Sequence, residues 1–217
     1  MEVWLLKYPF ILFATHNDGK VREVADILRT FPHAFRSLNQ VAPHLKAPSE
    51  TGTTYRENAW IKAKAALPLG YPVLADDSGL EVEALGGAPG VHSAYFAGPE
   101  ADSRANNLKL LEAMKGVPWE KRQARYVAFV LLALPDGRSY EFTGTCRGYI
   151  LEEPRGAEGF GYDPLFYVPL LGKTFAEAGP RLKRRLSHRA RALRPLLPLI
   201  PDLVTLGEDG RGAFPPS

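Results

Sequence analysis

Residues 72–84 read Pro-Val-Leu-Ala-Asp-Asp-Ser-Gly-Leu-Glu-Val-Glu-Ala. The apolar run Pro72–Ala75 predicts a buried strand that ends where the acids begin, which places Asp76 and Asp77 at the rim of a sheet. In α/β sheets, active sites gather on the loops beyond the carboxyl ends of strands. Two adjacent carboxylates repel each other, hold a cation well, and can take a proton from water. Asp, Ser and Gly are also turn residues, so a plain polar turn is the competing reading. Beyond the acids, Leu80, Val82 and Ala84 alternate with Glu81 and Glu83, the pattern of a half-exposed strand. Gly86-Gly87-Ala88-Pro89-Gly90 then reads as a turn with unusual backbone angles.

Upstream, Phe10–Ala14 is an apolar run suited to a buried strand, followed by Thr15-His16-Asn17-Asp18-Gly19-Lys20. Val21, Val24, Ala25 and Leu28 continue it at the spacing of one helix face. A helix start with free N–H groups and a lysine beside them is a natural phosphate seat. The Walker pattern is absent. Pro43–Gly52 reads as a loop ending in Glu50-Thr51-Gly52, and Thr54 and Glu57 have capping-box spacing for a helix through Ala65. Asn58 and Lys62, four apart, share a face of that helix. It looks either to solvent or towards Asp77.

Downstream, a helix is expected over Ser103–Lys115, with Asp102 as N-cap and Gly116 as C-cap. Its core positions read as Ala105, Leu108, Leu111 and Ala113 or Met114, with no chemistry on them. Residues 122–134 and Ser139–Arg147, joined by Pro135-Asp136-Gly137, form a hairpin. Glu158-Gly159-Phe160-Gly161-Tyr162-Asp163-Pro164 puts glycines on both sides of an aromatic. Phe160 is therefore either core or a shelf on which a nucleobase stacks. The basic stretch from Arg181 to Arg194 reads first as a solvated helix. At about 100° per residue, Lys183 and Ser187 lie together while His188 points away. If all three serve one ligand, the helix breaks near Ser187, and Ser187 caps a second helix after the break.

The totals set limits. At 217 residues, with 45% hydrophobic and 24% charged residues, the chain fits a globular protein of one large domain or two small ones. No repeat or linker divides it. The expected organisation is a single two-lobed domain over residues 1–206 with a mobile tail over 207–217. A net charge of +3 is too small to mark a nucleic-acid or membrane binder, but it suits a local basic pocket for an anion. The lone Cys146 cannot form an intrachain disulfide, which points to a cytoplasmic setting. The Val3–Leu6 run, broken by Lys7 and Pro9, is a poor signal peptide, and no stretch approaches the ~20 apolar residues of a membrane span.

Five segments in this order resemble the inosine/xanthosine triphosphate pyrophosphatases, which hydrolyse deaminated purine nucleoside triphosphates. They are Ala14–Lys20, Glu50-Thr51-Gly52 with Thr54 and Glu57-Asn58-Ala59, Ala75–Gly98, Gly159–Pro164, and Ser187-His188-Arg189. The resemblance runs from about Phe10 to Leu197 and implies an α/β fold: an elongated mixed β-sheet flanked by helices, two lobes with a central active-site cleft, usually a homodimer. It also implies that ITP, dITP and XTP are cleaved to the monophosphate and pyrophosphate with Mg²⁺, keeping them out of DNA and RNA. By the family's pattern Asp77 is the general base, and Glu50 with Asp77 holds Mg²⁺. The loop Thr15, His16, Asn17, Asp18, Gly19 and Lys20 meets the triphosphate, with Lys62, Ser78 and Lys183 supporting. Phe160, Gly161, Tyr162 and Asp163, with His188 and Arg189, form the base pocket.

The chain departs from that pattern in two places. Ser93-Ala94-Tyr95-Phe96-Ala97-Gly98 lacks the Arg usual there, which leaves any dimer contact from that Arg open, and Arg184 replaces a usual Asn. The expected partner is a small nucleoside triphosphate, with neither nucleic acid nor membrane. Three alternatives stay open: a pyrophosphatase for modified pyrimidine nucleoside triphosphates, a nucleic-acid binder using the basic C-terminal helix, and a nucleotide sensor without catalysis.

Overall fold

The computed structural model describes residues 7–100 and 102–205. The expected tail over 207–217 lies outside the described residues. In chain order the elements are β1 (Ile11–Phe13), α1 (Asp18–Ile27), β2 (Phe35–Ser37), α2 (Leu38–Val41), α3 (Tyr55–Ala66) and β3 (Val73–Val82). They continue with α4 (Ser103–Ala113), β4 (Gln123–Ala133), β5 (Ser139–Ile150), β6 (Phe166–Val168) and β7 (Lys173–Thr174). The chain closes with α5 (Phe175–Leu186), α6 (His188–Leu193) and α7 (Ile200–Leu203). The strands form one seven-stranded sheet in the order β2-β1-β3-β4-β5-β6-β7. It is mixed: β1 runs parallel to β2 and β3, whereas β6 runs antiparallel to β5 and β7. The fold is α/β with flanking helices, as the sequence led us to expect.

The chain divides into two compact units. The first comprises Met1–Asp77, Phe129–Phe142 and Ala192–Ser217; the second comprises Ser78–Ala128 and Thr143–Arg191. The core of the first is built from β1, β3 and the alanine face of α3: Leu12, Ala14, Leu38, Ala59, Ala63, Ala66, Val73, Ala75, Leu131 and Ala133. Small residues on α3 let its backbone approach the strands closely. The core of the second gathers Leu80, Val82, Leu110, Met114, Tyr126, Ile150, Leu165, Phe166 and Phe175.

Two expectations need correction. The strand expected over Pro72–Ala75 does not stop at the acids, because β3 runs unbroken through Asp76, Asp77, Ser78 and Gly79 to Val82. Strand propensity yields to context, and here the carboxylates are paired, so the chain can stay extended. In α4 the buried positions are Asn106 and Leu110, followed by the buried C-cap Met114, while Leu108 is 58% exposed. Of the expected core positions, Met114 is buried and Leu111 packs partly buried against the core, but Leu108 faces solvent and Leu110 takes its place. The hairpin is present as β4 and β5, with Gly137 at φ +90° in its turn.

Candidate active site

In the first unit, helix α3 opens with the expected capping box. Thr54 accepts a hydrogen bond from Glu57 N–H, and the Glu57 carboxylate accepts from the N–H groups of Thr53 (2.7 Å) and Thr54 (3.2 Å). Gly52 N–H donates to Asn58 Oδ1 at 2.8 Å, and a Cβ at Gly52 would lie 2.6 Å from Glu57 Cβ. Only glycine lets the loop carrying Glu50 lie this close to the helix. One turn further, Lys62 Nζ reaches both Asp77 Oδ1 (2.8 Å) and Glu50 Oε2 (3.0 Å), and Asn58 Nδ2 donates to Asp77 Oδ2 (3.2 Å). The Asn58/Lys62 face thus looks at Asp77, not at solvent.

Neighbouring residues of a strand project to opposite faces, and the two acids take different partners. Asp76 pairs with Lys20 at 2.9 Å, while Asp77 joins Lys62, Glu50 and Asn58. Asp77 is buried, and burial raises its pKa above the ordinary carboxylate value, with the Glu50 charge adding to the rise and Lys62 and Lys20 opposing it. For Lys62, burial works against the charge, but the carboxylates of Asp77, Glu50 and Asp76 outweigh it and hold the pKa above the usual lysine value. The cluster therefore holds a cation between two carboxylates, one of which is a stronger base than a free aspartate.

The loop after β1 is built as a helix entry. Asn17 Oδ1 caps α1 by accepting from Lys20 N–H (3.0 Å), and Thr15 Oγ1 accepts from Asn17 N–H (3.1 Å). Asp18 and Gly19 form the first turn. The His16 ring is engaged by Asn39 Oδ1 and the Leu45 carbonyl, and Asp18 Oδ1 accepts from Asn39 Nδ2. These two side chains brace the loop against α2 and the segment after it.

In the second unit, Gly159–Asp163 curls around the Asp163 carboxylate. Asp163 Oδ2 accepts from Phe160 N–H (2.9 Å) and from Lys183 Nζ (2.6 Å). Gly159 has φ +83°, and a Cβ there would lie 2.2 Å from Asp163 Oδ2. The Lys183 ammonium lies 4.3 Å from the centre of the half-buried Phe160 ring, and the Arg189 guanidinium 5.9 Å from it. Arg189, nearly fully buried, donates to Ser78 Oγ at 2.8 Å. Tyr162 is scaffold: its hydroxyl donates to Ser93 O at 2.8 Å, and burial pushes its pKa well above the ordinary phenol value.

The expected helix break is present. α5 ends at Leu186, Ser187 is extended (φ −65°, ψ 157°), and its hydroxyl accepts from Ala190 N–H to start α6. His188 then stacks on Tyr126 with ring centres 4.6 Å apart. A second break, at Gly179 (φ 71°) before Pro180, was not anticipated. Of the two readings left open for the Asn58/Lys62 face, the structure shows the one towards Asp77. Sequence reasoning missed Ser103 and Asn107 of α4 altogether, since they bond to the Phe160 loop without belonging to any recognised motif.

The first unit carries a buried carboxylate–lysine cluster, and the second holds two cations close to the Phe160 ring. Comparison with known proteins supplies the assignment. The Ham1 family model matches residues 11–199, and the chain belongs to the Ham1 family. A dITP/XTP pyrophosphatase of Thermus thermophilus is 51% identical over 194 residues, covering 89% of this chain and 92% of the relative. One from Geobacillus kaustophilus is 49% identical, with 86% and 91% covered. The solved Ham1 protein of Staphylococcus aureus superposes with TM-score 0.76 at 38% identity, covering 88% of this chain and 97% of the other. A Mycobacterium abscessus structure described as a nucleoside-triphosphatase and dITP/XTP pyrophosphatase gives 0.68 at 38% identity, covering 88% and 98%.

Proposed function

We propose that this chain hydrolyses deaminated purine nucleoside triphosphates (dITP, ITP and XTP) to the monophosphate and pyrophosphate, with Mg²⁺ and with Asp77 as the base. As a family member the chain is a nucleoside triphosphate pyrophosphohydrolase. The observation that carries the finer reading is the convergence of Glu50 and Asp77, from a loop and a strand, on the Lys62 ammonium. Among the described residues no group of three or more His, Cys, Asp or Glu is arranged as a metal cage. That suits Mg²⁺, which is commonly held by one or two carboxylates plus substrate phosphates and keeps its own waters. Glu50 and Asp77, hard oxygen donors already arranged around a cation, are the residues that would hold it. When bound, the ion neutralises phosphate charge.

The protein's own groups account for the rest. Asp77 accepts the proton of a water whose oxygen attacks the α-phosphorus, while the bond from that phosphorus to the leaving pyrophosphate breaks. A carboxylate made more basic by burial suits that task. Lys20, at the first turn of α1, and Lys62 offset the charge that accumulates on the leaving group. Phe160 supplies the stacking face, and buried Arg189 supplies donors. A 6-oxo purine presents an acceptor where adenine presents an amino donor, so a donor-lined pocket rejects adenine through unpaired polar groups. The homodimer belongs to this reading through the family resemblance, and the cytoplasmic setting through the lone Cys146. Among the described residues no helix is long and apolar enough to cross a membrane.

A pyrophosphate-release assay across a panel of nucleoside triphosphates, with Mg²⁺ and with chelator, tests the reading. Turnover of dITP, ITP and XTP, absent with chelator and weak with ATP, is expected. Preference for dUTP or methylated pyrimidine nucleotides, or binding of dITP without pyrophosphate release, would overturn it.

A further inference from the structure

We infer that Ser103 and Asn107 of α4 are positioning residues for base recognition, holding the Phe160 shelf through the peptide units of Gly161. This rests on the proposed base pocket and names residues that the pocket motif does not contain. Phe160 lies between Gly159 at φ +83° and Gly161 at φ +63°. Glycines on both sides leave the ring without the steric limits that ordinary neighbours impose. Beside the Lys183 and Arg189 contacts to the ring, the backbone hydrogen bonds of the loop set its orientation.

Asp163 supplies one from below, accepting from Phe160 N–H at 2.9 Å. The other two come from α4. Gly161 N–H donates to Ser103 Oγ at 3.2 Å, and Asn107 Nδ2 donates to Gly161 O at 2.9 Å. Residues four apart share a helix face, so one rigid helix grips both polar groups of a single glycine. Asn106, next to Asn107, anchors the same helix by accepting from Ala97 N–H (2.7 Å) and donating to Ala94 O (3.0 Å).

The Asn107 amide shows which of its atoms matters. Its Oδ1 is buried without a hydrogen-bond partner. A buried acceptor left unmade is costly and calls for a reason. Turning the amide over would set Oδ1 against the Gly161 carbonyl, oxygen to oxygen. The donor to Gly161 O fixes the orientation, and the unmet Oδ1 is its consequence. Asn107 acts as a donor aimed at the loop.

The test measures equilibrium binding of dIMP and, separately, of pyrophosphate with Mg²⁺, together with kcat and KM for dITP. Asn107→Ala and Ser103→Ala are expected to weaken dIMP and raise KM about five- to tenfold each, the worth of one net hydrogen bond. Pyrophosphate affinity and kcat should stay within twofold of wild type. Ser103→Thr, which keeps the hydroxyl, should restore the wild-type values. Ser103 is exposed, so its variants report even if Asn107→Ala fails to fold. Phe160→Ala separates the two ideas. If it leaves dIMP binding unchanged, the base-pocket reading itself fails. If it weakens dIMP while the Ser103 and Asn107 variants bind normally, or weaken pyrophosphate equally, the positioning role is wrong.

Discussion

Replacing Lys62 with Met removes the ammonium that lies 2.8 Å from Asp77 Oδ1 and 3.0 Å from Glu50 Oε2, while keeping an unbranched apolar stem. Lys62 and Asp77 are 8% and 5% exposed, so their attraction is little screened, whereas the Glu50 side chain is 35% exposed. Breaking a buried pair by removing one partner costs about 3–5 kcal/mol. Partial solvation of Glu50 places the expected loss near the lower end, about 3 kcal/mol. For a chain of this length that is a fall in Tm of roughly 6–12 °C in chelator. Two carboxylates without their cation then form a better site for an added one. A divalent ion at a hundred times its Kd adds about 2.7 kcal/mol to the folded state, enough to recover most of the deficit. Thermal melting in chelator and across a Mg²⁺ titration reads both quantities. The Mg²⁺-induced gain in Tm should be larger for Lys62→Met than for wild type, while turnover of dITP stays low because a charge on the phosphate side is gone. A variant that melts with wild type in chelator, or gains no more than wild type from Mg²⁺, would refute the claim that this lysine occupies a cation position between the two acids.

Four further outcomes are expected. In the proposed mechanism Asp77 works as a carboxylate, and burial raises its pKa; the acid limb of kcat/KM should therefore lie above the ordinary value of about 3.9. It should move to lower pH as Mg²⁺ increases, since cation and proton compete for the same oxygens; a limb indifferent to Mg²⁺ would count against Asp77 as ligand. In metal-free protein the same shift means that the folded state binds the extra proton. Stability then falls as pH rises from the unfolded value through the raised one, and Asp77→Asn should flatten that slope in a melting series. Gly159→Ala sets a Cβ 2.2 Å from Asp163 Oδ2 at φ +83°; strain of about 1–3 kcal/mol should weaken dIMP binding roughly tenfold or more while pyrophosphate binding is retained. Arg122, 2% exposed, donates to the carbonyls of Ile150, Met114, Val117 and Leu151. Arg122→Met should cost about 3 kcal/mol of stability in a denaturant titration, with KM for dITP unchanged in the folded fraction.

The alternation of apolar residues and the glycine-marked turns made most of the fold readable. β1, α1, α3 and the β4–β5 hairpin are local consequences of those patterns. Continuation of β3 through Asp76 and Asp77 was not local: it depends on Lys20, Lys62 and Asn58, which are distant in sequence, to neutralise and bind the acids. In α4 the expectation failed at Leu108, which faces solvent, whereas Asn106 and Asn107, absent from the expected core positions, bond to neighbouring loops. The break at Ser187 could be anticipated, since a straight helix cannot aim Lys183 and His188 together. The roles of His16 and Tyr162 as braces could not, because a motif marks which residues recur together and not which of them point at a ligand.

Asp77→Asn offers the most direct test of the central claim. The substitution keeps an oxygen for Lys62 and the volume of the side chain, but removes the basic carboxylate. With dITP and saturating Mg²⁺, pyrophosphate release should fall by at least a thousandfold, on the order of what a general base and a metal ligand together contribute. dIMP affinity should stay close to wild type, and the variant should remain folded in a melting check, with a lower Tm than wild type because Lys62 loses a charged partner. Release at a rate near that of the wild-type enzyme would contradict the account.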